Sequence, residues 1–258
     1  MKNITFRQVT PYLTAIVVFV ILTAVYLFPV FEGKGIQATD SITFRGAAQE
    51  IINYREKTGE EPLWTNSMFS GMPAYLISTK FPGNLISSVD QVLKLGLPHP
   101  MGIVFLYFLG FFILLLTLKV DKWISIIGAI AFALSSYFFI ILEAGHNTKA
   151  LAISYMAPVL AGIILTFRGK YLLGGIVTAL FLSLEINANH LQITYYLLMI
   201  VICLGIAELV KTIRDKAYTH FLKALSFLVV AAMLAVAVNT SRLWTPYEQS
   251  QYSTRGKS

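Results

Sequence analysis

The stretch MGIVFLYFLGFFILLLTL, Met101–Leu118, decides the fold class because its eighteen residues include no charged side chain. A helix needs roughly 20 predominantly apolar residues to cross the hydrocarbon core of a bilayer, which is about 30 Å thick. Backbone amides cannot stay unpaired in lipid, so an apolar run of this kind predicts a helix. The whole chain shares this character, being 56% apolar and 13% charged, with a mean hydropathy of +0.69.

Seven apolar runs predict an all-α polytopic membrane protein with about seven transmembrane helices. They are Tyr12–Phe31, Met101–Leu118, Ile124–Leu142, Ala150–Phe167, Tyr171–Ile186, Ile193–Val210 and Phe221–Val238. This composition excludes an ordinary soluble domain. No small-residue cleavage site follows the first run, so we expect it to be retained as an anchor. Thr10 and Pro11 are predicted to begin its helix as N-cap and first residue.

The placement of lysine and arginine predicts that the N-terminus is cytoplasmic. Of the two short outer loops, only one carries a basic residue, Lys149. The segments that would lie inside carry ten: Lys2, Arg7, Lys119, Lys122, Arg168, Lys170, Lys211, Arg214, Lys216 and Lys223. This bias accounts for the net charge of +7, so no nucleic-acid partner is expected.

The chain is interpreted as a single transmembrane module, residues 1–258, with one long outer loop at Glu32–Pro100. A structureless loop of this length would be unusual, so we expect it to contain elements of its own. The spacing of apolar residues predicts two amphipathic helices, near Phe44–Tyr54 and Ile86–Leu97. They would lie in the membrane interface or simply cap the bundle.

Two short outer loops, EAGHNTK (Glu143–Lys149) and NANHLQ (Asn187–Gln192), collect polar side chains at one membrane face. Ionisable groups near membrane depth are costly and are usually functional. The predicted binding residues are Glu143, His146, Lys149, His190 and Gln192. Each also has a structural alternative, such as a Glu143–Lys149 ion pair or a histidine wetted at the interface. His99 and His220 have no comparable cluster of polar residues beside them in the sequence and are expected to lie outside the site.

Asp40 is the acidic residue that we single out in the long outer loop. It follows the first apolar run in EGKGIQATDS. A carboxylate close to lipid and partly dehydrated is suited to act as a general base. The alternative is a solvated loop aspartate without a chemical role.

Four motifs resemble a known family: PLWTNSMFSGMPAY (Pro62–Tyr75), EAGHNTKA (Glu143–Ala150), NANHLQITYY (Asn187–Tyr196) and QYSTRGKS (Gln251–Ser258). They are similar to YfhO-type bacterial membrane proteins of the Bacteroidetes form, and the long first outer loop with an early acid resembles the GT-C glycosyltransferase superfamily. The resemblance implies transfer of a sugar from a polyprenyl-phosphate donor to an extracytoplasmic acceptor, in the bacterial inner membrane. It also implies that the chain is the N-terminal part of a longer protein, with further helices and a soluble domain downstream.

The resemblance assigns the catalytic role, or a metal-binding role, to Asp40. Metal-dependent relatives carry paired acids in this loop, whereas Asp40 stands alone in ATDS. The identity of any cofactor, including a divalent metal, therefore stays open. By the same resemblance, His146 and Lys149 would meet the lipid-linked phosphate, and His190 and Gln192 would bind the sugar or the phosphate.

Two other functions fit the same sequence. One is a transporter or flippase for a lipid or a sugar, and the other is a non-catalytic membrane scaffold that keeps only the fold. Charged residues at helix centres would favour transport, and the apolar runs contain almost none. The polar residues instead collect at one face, which favours chemistry at the outer surface.

Overall fold

A computed structural model describes residues 6–252, and within this range the chain forms eleven α-helices and one short hairpin. The helices are α1 (Phe6–Tyr26), α2 (Thr39–Thr58), α3 (Ile86–Leu93), α4 (Met101–Thr117), α5 (Lys122–Ala133), α6 (Ser136–Glu143), α7 (Asn147–Phe167), α8 (Tyr171–Asn187), α9 (Leu191–Asp215), α10 (Tyr218–Val238) and α11 (Thr240–Ser250). The hairpin pairs β1 (Trp64–Thr65) antiparallel to β2 (Met72–Pro73). Lys2 of the charge count and most of the terminal QYSTRGKS motif lie outside the described residues.

Four helices between residues 6 and 252 are long and apolar enough to cross a membrane, namely α1, α7, α9 and α10. Helices α5 and α6 would together make a fifth span, bent by 41°. Helices α4 and α8 are apolar but shorter, with 17 residues each. The structure therefore agrees with an all-α membrane-embedded protein, and seven spans stay a prediction.

The first predicted run does not form one continuous helix. Helix α1 ends at Tyr26, and a separate 3-10 turn covers Phe28–Glu32. Pro29 has no amide hydrogen with which to continue the ladder of α1. The start of the helix was also predicted wrongly, because α1 begins at Phe6 and the Thr10 hydroxyl donates to the Phe6 carbonyl at 2.9 Å instead of capping the helix.

The third predicted run is divided as well. Helix α5 starts at an effective cap, since the Asp121 carboxylate accepts from the amides of Trp123 and Ile124. It ends at Ala133, and Ser135 has an extended backbone with ψ of 133° before α6 starts. The chain changes direction by 41° at this point, so the third predicted run, which contains the pair Ser135–Ser136, is two helices.

The close crossing of α7 and α8 depends on small residues. A Cβ atom on Gly162 would lie 2.5 Å from the Thr178 hydroxyl oxygen, and one on Gly174 would collide with Thr166. Such residues let helix backbones approach closely in a membrane, where van der Waals packing is a main source of association. Helix α4 packs on the other side of α7 and is largely buried, and its Tyr107 hydroxyl donates to the Ala150 carbonyl at 2.9 Å.

The long outer loop contains both predicted helices, with altered ends. Helix α2 is longer than predicted and begins at Thr39, which puts Asp40 in its first turn. Helix α3 ends at Leu93, earlier than predicted, because Leu95 and Gly96 adopt left-handed φ values of 55° and 66°. That they lie in the membrane interface stays a prediction.

Helix α3 is attached to the helical bundle by packing and by a polar anchor. Its apolar residues Ile86, Val89 and Leu93 pack against the core formed by α7 and α8. On the same helix, Asp90 accepts a hydrogen bond from the Tyr155 hydroxyl of α7 and pairs with Lys94 at 2.6 Å. The apolar face of α3 is thus occupied by protein.

The segment between α2 and α3 is tied back onto α2. The Glu50 carboxylate accepts from the Thr65 hydroxyl at 2.5 Å and from the Asn66 amide at 2.9 Å. The hydrogen bond from Thr65 is the largest cause that lowers the pKa of the Glu50 carboxyl, and the Asn66 amide lowers it further. Arg55 pairs with Glu61 at 2.6 Å and donates to the Ser78 carbonyl at 3.3 Å, so an early and a later part of this segment are both anchored to α2.

Topology can be tested with single cysteines in a Cys203→Ala background. Ala144→Cys, between α6 and α7, should react with an impermeant maleimide added to intact cells, because the charge bias places this end outside. Asp215→Cys, at the end of α9, should react only after permeabilisation. Labelling of Asp215→Cys in intact cells would overturn the predicted orientation.

Candidate functional site

The candidate site forms where the start of α2 meets the start of α7. The His146 Nδ1 atom lies 3.3 Å from the Asp40 Oδ2 atom, although the two residues are 106 positions apart. Their side chains are 49% and 59% exposed, respectively. The pair is therefore accessible from solvent, and it is positioned by two helices.

Gly145 allows the two elements to approach. It has a left-handed φ of +89°, and a Cβ atom there would lie 2.8 Å from Ala38 Cβ and 3.1 Å from Asp40 Cβ. Next to it, the Asn147 side-chain amide donates to the Ser41 hydroxyl at 3.4 Å. Sequence reasoning missed Ser41 altogether, and the isolated glycine in EAGHNTK was the only local signal of a close contact.

His190 joins the same region through the first turn of α7. Its Nδ1 atom lies 3.3 Å from the Thr148 hydroxyl oxygen. Desolvation is the largest cause that lowers the pKa of the His190 imidazole, and electrostatic interactions with Lys149 and His146 lower it further. A histidine whose pKa is below its ordinary value is neutral at pH 7, so His190 offers an uncharged hydrogen-bonding ring.

Lys149 is held by an aromatic ring and does not pair with Glu143. Its Nζ atom lies 5.4 Å from the centroid of the Tyr137 ring, within the range of a cation–π interaction. Glu143 is exposed and has no ion pair or side-chain hydrogen bond within residues 6–252. Neither Asp40 nor His146 forms a hydrogen bond or an ion pair with the Glu143 side chain in the described part of the chain, and its binding role stays a prediction.

Gln192 and Glu185 form hydrogen bonds with residues other than Asp40 and His146. The Gln192 amide donates to the Tyr196 hydroxyl at 2.7 Å, one turn further along α9. Glu185 is fully buried, and each of its carboxylate oxygens lies 3.0 Å from the Thr194 hydroxyl oxygen. Glu185 thus joins α8 to α9 inside the bundle.

The expectation that His99 lies outside the site stays a prediction. The amide of Asn147, next to His146, interacts with the His99 ring and raises its pKa. Desolvation and the charge of Lys94 lower the pKa, and the net direction is downward. His99 precedes α4 in the chain, and the fold brings it close to the start of α7. The residues beside His99 in the sequence did not indicate this proximity.

His220, by contrast, lies at the opposite end of the bundle. Its ring nitrogens contact the Tyr171 hydroxyl at 2.6 Å and the Phe167 carbonyl at 2.8 Å. Phe167 is the last residue of α7, whereas His146 precedes its first. The 21-residue helix separates the two histidines by about 30 Å at 1.5 Å per residue.

A cavity of about 250 Å³ adjoins the cluster. Its wall includes Phe44 of α2, Thr148 of α7, Asn189 of the second short loop and Arg242 of α11. Asp40, His146, Lys149, His190 and Gln192 themselves do not line it. Thr148 and Asn189 adjoin Lys149 and His190 in sequence, so the cavity lies beside two of the predicted groups.

Arg242 is a further residue that sequence reasoning missed. Its Nε atom is buried without a hydrogen-bond partner, and its guanidinium lies 5.5 Å from the centroid of the Phe81 ring. Burial lowers the pKa of Arg242. No acidic side chain between residues 6 and 252 forms an ion pair with it, so its charge is available to an anion.

The residues present do not make a metal site. Within residues 6–252 no group of three or more histidine, cysteine, aspartate or glutamate side chains is arranged to hold a metal ion. Asp40 and His146 could supply two ligands. Structural and catalytic sites for zinc use at least three protein ligands, so we assign no chemical step to a metal.

Comparison with protein-family models, with curated proteins and with solved structures gave no significant match to this chain. The case for a function therefore rests on the geometry of the site and on the resemblance of the motifs.

Two alanine substitutions separate backbone strain from the helix contact at the site. Gly145→Ala introduces both a left-handed alanine and a clash with Ala38. Gly59→Ala is the matched control, because its φ is +75° and nothing lies within 4 Å of the added Cβ. Left-handed backbone costs a non-glycine residue about 1–2 kcal/mol. We expect a larger loss of thermal stability for Gly145→Ala than for Gly59→Ala, measured on protein purified in detergent.

Equal losses in the two variants would contradict this prediction. They would mean that the contact between the α6–α7 connection and the start of α2 adds nothing to stability.

Proposed function

We propose that the chain is the membrane module of a GT-C-like glycosyltransferase, which moves a sugar from a polyprenyl-phosphate donor to an extracytoplasmic acceptor. The observation that carries the proposal is the 3.3 Å contact between Asp40 and His146. It joins the acid of the long loop to a histidine of a short loop at one end of an apolar helical bundle. An accessible carboxylate–imidazole pair at this position suits deprotonation of an acceptor held at the membrane surface.

The pair would act as one base. In the tautomer with a proton on Nδ1, His146 would donate to the Asp40 carboxylate 3.3 Å away, which would orient the ring and leave Nε2 free to accept a proton. The acceptor hydroxyl oxygen bonds to the anomeric carbon, and its proton passes to Nε2. The bond from the anomeric carbon to the phosphate oxygen breaks, and its electron pair stays on the polyprenyl phosphate.

Positive charge is available for the leaving phosphate. Lys149 lies on the Tyr137 ring beside the pair, and Arg242 lines the adjoining cavity without an acidic partner in the described chain. Preorganised cations at the point where negative charge develops lower the barrier most when water is excluded. We assign binding of the donor phosphate to Arg242. Lys149 and Arg242 would both stabilise the negative charge that develops on this phosphate as its bond to the sugar breaks.

The same proposal sets the location and the partners. The protein would lie in the bacterial inner membrane with its N-terminus in the cytoplasm, and the Asp40–His146 pair would face outward. The lipid-linked sugar would diffuse in from the outer leaflet, and the acceptor would approach from the extracytoplasmic side. The charge bias of the connections supports this orientation.

One observation favours a second function, a transporter or flippase for a lipid or sugar. A cavity of about 450 Å³, lined almost wholly by apolar side chains of α7 to α10, lies beside Thr194. Thr194 in turn donates to the buried carboxylate of Glu185. Ionisable groups inside a membrane bundle often mark transport pathways.

The proposal is tested by His146→Gln and Asp40→Asn in the full-length protein. Loss of a general base typically lowers a rate by about 10²–10⁴, so both variants should lose at least about 100-fold in sugar transfer. The assay follows radiolabelled sugar from polyprenyl-phosphate hexoses to extracted envelope acceptors. Asp215→Asn, an exposed carboxylate at the end of α9, is the control that should keep full activity.

Four outcomes would distinguish the alternatives. Full activity of His146→Gln with loss in Asp40→Asn would make Asp40 itself the base. Wild-type activity in both variants would refute the site. Movement of labelled lipid across vesicle membranes without sugar transfer would favour the transporter, and absence of both would favour the scaffold.

A further inference from the structure

The end of the bundle opposite Asp40 and His146 contains a cavity of about 550 Å³. Its wall combines four basic residues with apolar side chains from the ends of α4 and α7. The basic residues are Lys119, Arg168, Lys170 and Lys211, and the apolar ones include Ile113 and Leu165. They come from three separate parts of the chain, so the arrangement exists only in the folded protein.

The positive charge of this cavity is poorly compensated. Of the four basic side chains, only Lys211 has an acidic neighbour, with its Nζ atom 3.8 Å from Glu208 Oε2. Within residues 6–252, Lys119, Arg168 and Lys170 form no ion pair. Like charges gathered around one cavity repel each other, and a bound anion would remove that cost.

The walls of the cavity are held in place by backbone contacts. The Arg168 guanidinium donates to the Thr117 carbonyl at the end of α4. His220 contacts the Phe167 carbonyl at 2.8 Å, which fixes the start of the α7–α8 turn. Lys119 lies two residues after the end of α4, has a left-handed φ of 66°, and its amide donates to the Leu116 carbonyl at 3.0 Å. The cavity is therefore built before any ligand binds.

We propose that this cavity binds the headgroup of an anionic glycerophospholipid. The phosphate would lie among Lys119, Lys170 and Lys211, and an acyl chain would follow the apolar wall towards Ile113. Basic pockets between helices on the cytoplasmic side of a membrane suit such headgroups. The cavity has both parts that this amphipathic ligand needs, and a soluble anion would use only one of them. This inference does not depend on glycosyl transfer.

The test uses the variant Lys119→Gln/Lys170→Gln/Lys211→Gln and leaves Arg168 unchanged because its guanidinium supports the backbone. The matched control, Lys122→Gln/Arg214→Gln/Lys216→Gln, removes the same charge from the same end of the molecule outside the cavity. Native mass spectrometry of the full chain would measure binding of phosphatidylglycerol, with phosphatidylcholine as the zwitterionic comparison.

The wild-type protein should bind phosphatidylglycerol in preference to phosphatidylcholine. Each lysine near an anionic lipid surface contributes appreciably to binding, so the cavity variant should lose about tenfold or more. The control variant should lose no more than about twofold, because its basic residues lie outside the cavity.

Three results would overturn the inference. Equal binding of phosphatidylglycerol and phosphatidylcholine would show that the basic residues do not select an anionic headgroup. Equal loss of binding in the cavity variant and in the control variant would show that only the overall charge matters. Competition by millimolar inorganic phosphate or glycerol phosphate as effective as that by phosphatidylglycerol would assign the cavity to a soluble anion.

Discussion

The requirement that backbone amides and carbonyls find partners within an apolar chain governs this structure. In lipid each unpaired group costs several kcal/mol, so the apolar runs close their hydrogen bonds internally as helices. Connections between helices must then lie at the two ends of the bundle. Most charged and titratable side chains are confined to these ends, which is why both candidate sites lie there.

The two ends have different chemistry. One combines a carboxylate, histidines and amides around the contact between Asp40 and His146. The other is basic, with Lys119, Arg168, Lys170 and Lys211 around one cavity. A mixed set of acids and bases is suited to moving protons, whereas cations alone are suited to holding anions. The close crossing at Gly162 and Gly174 keeps α7 in register between the ends, so a change in that contact would affect both.

Much of the helical fold could be predicted from hydropathy, because each apolar run must satisfy its own backbone hydrogen bonds in lipid. The first and last residues of the helices were harder to predict from the sequence. The break before Ser136 falls at the pair Ser135–Ser136, which hydropathy alone did not single out, and α1 starts before the residues predicted to cap it. Helix α3 was predicted as amphipathic, but the amphipathic pattern alone could not show that Tyr155 and the bundle would occupy its face.

The sequence by itself determined that this is an all-α membrane protein, that its polar residues gather in a few connections, and that Asp40 and His146 were residues of interest. Charge and hydropathy are additive along a chain, so they can be read without knowing the fold. Only the tertiary structure decided which connections meet. It brought His146 to Asp40, placed Arg242 in the wall of the adjoining cavity, and gave Gln192 a hydrogen-bond partner, Tyr196, within its own helix. These choices depend on how helices cross, and crossing is set by close contacts such as those of Gly145, whose partners lie far away in sequence.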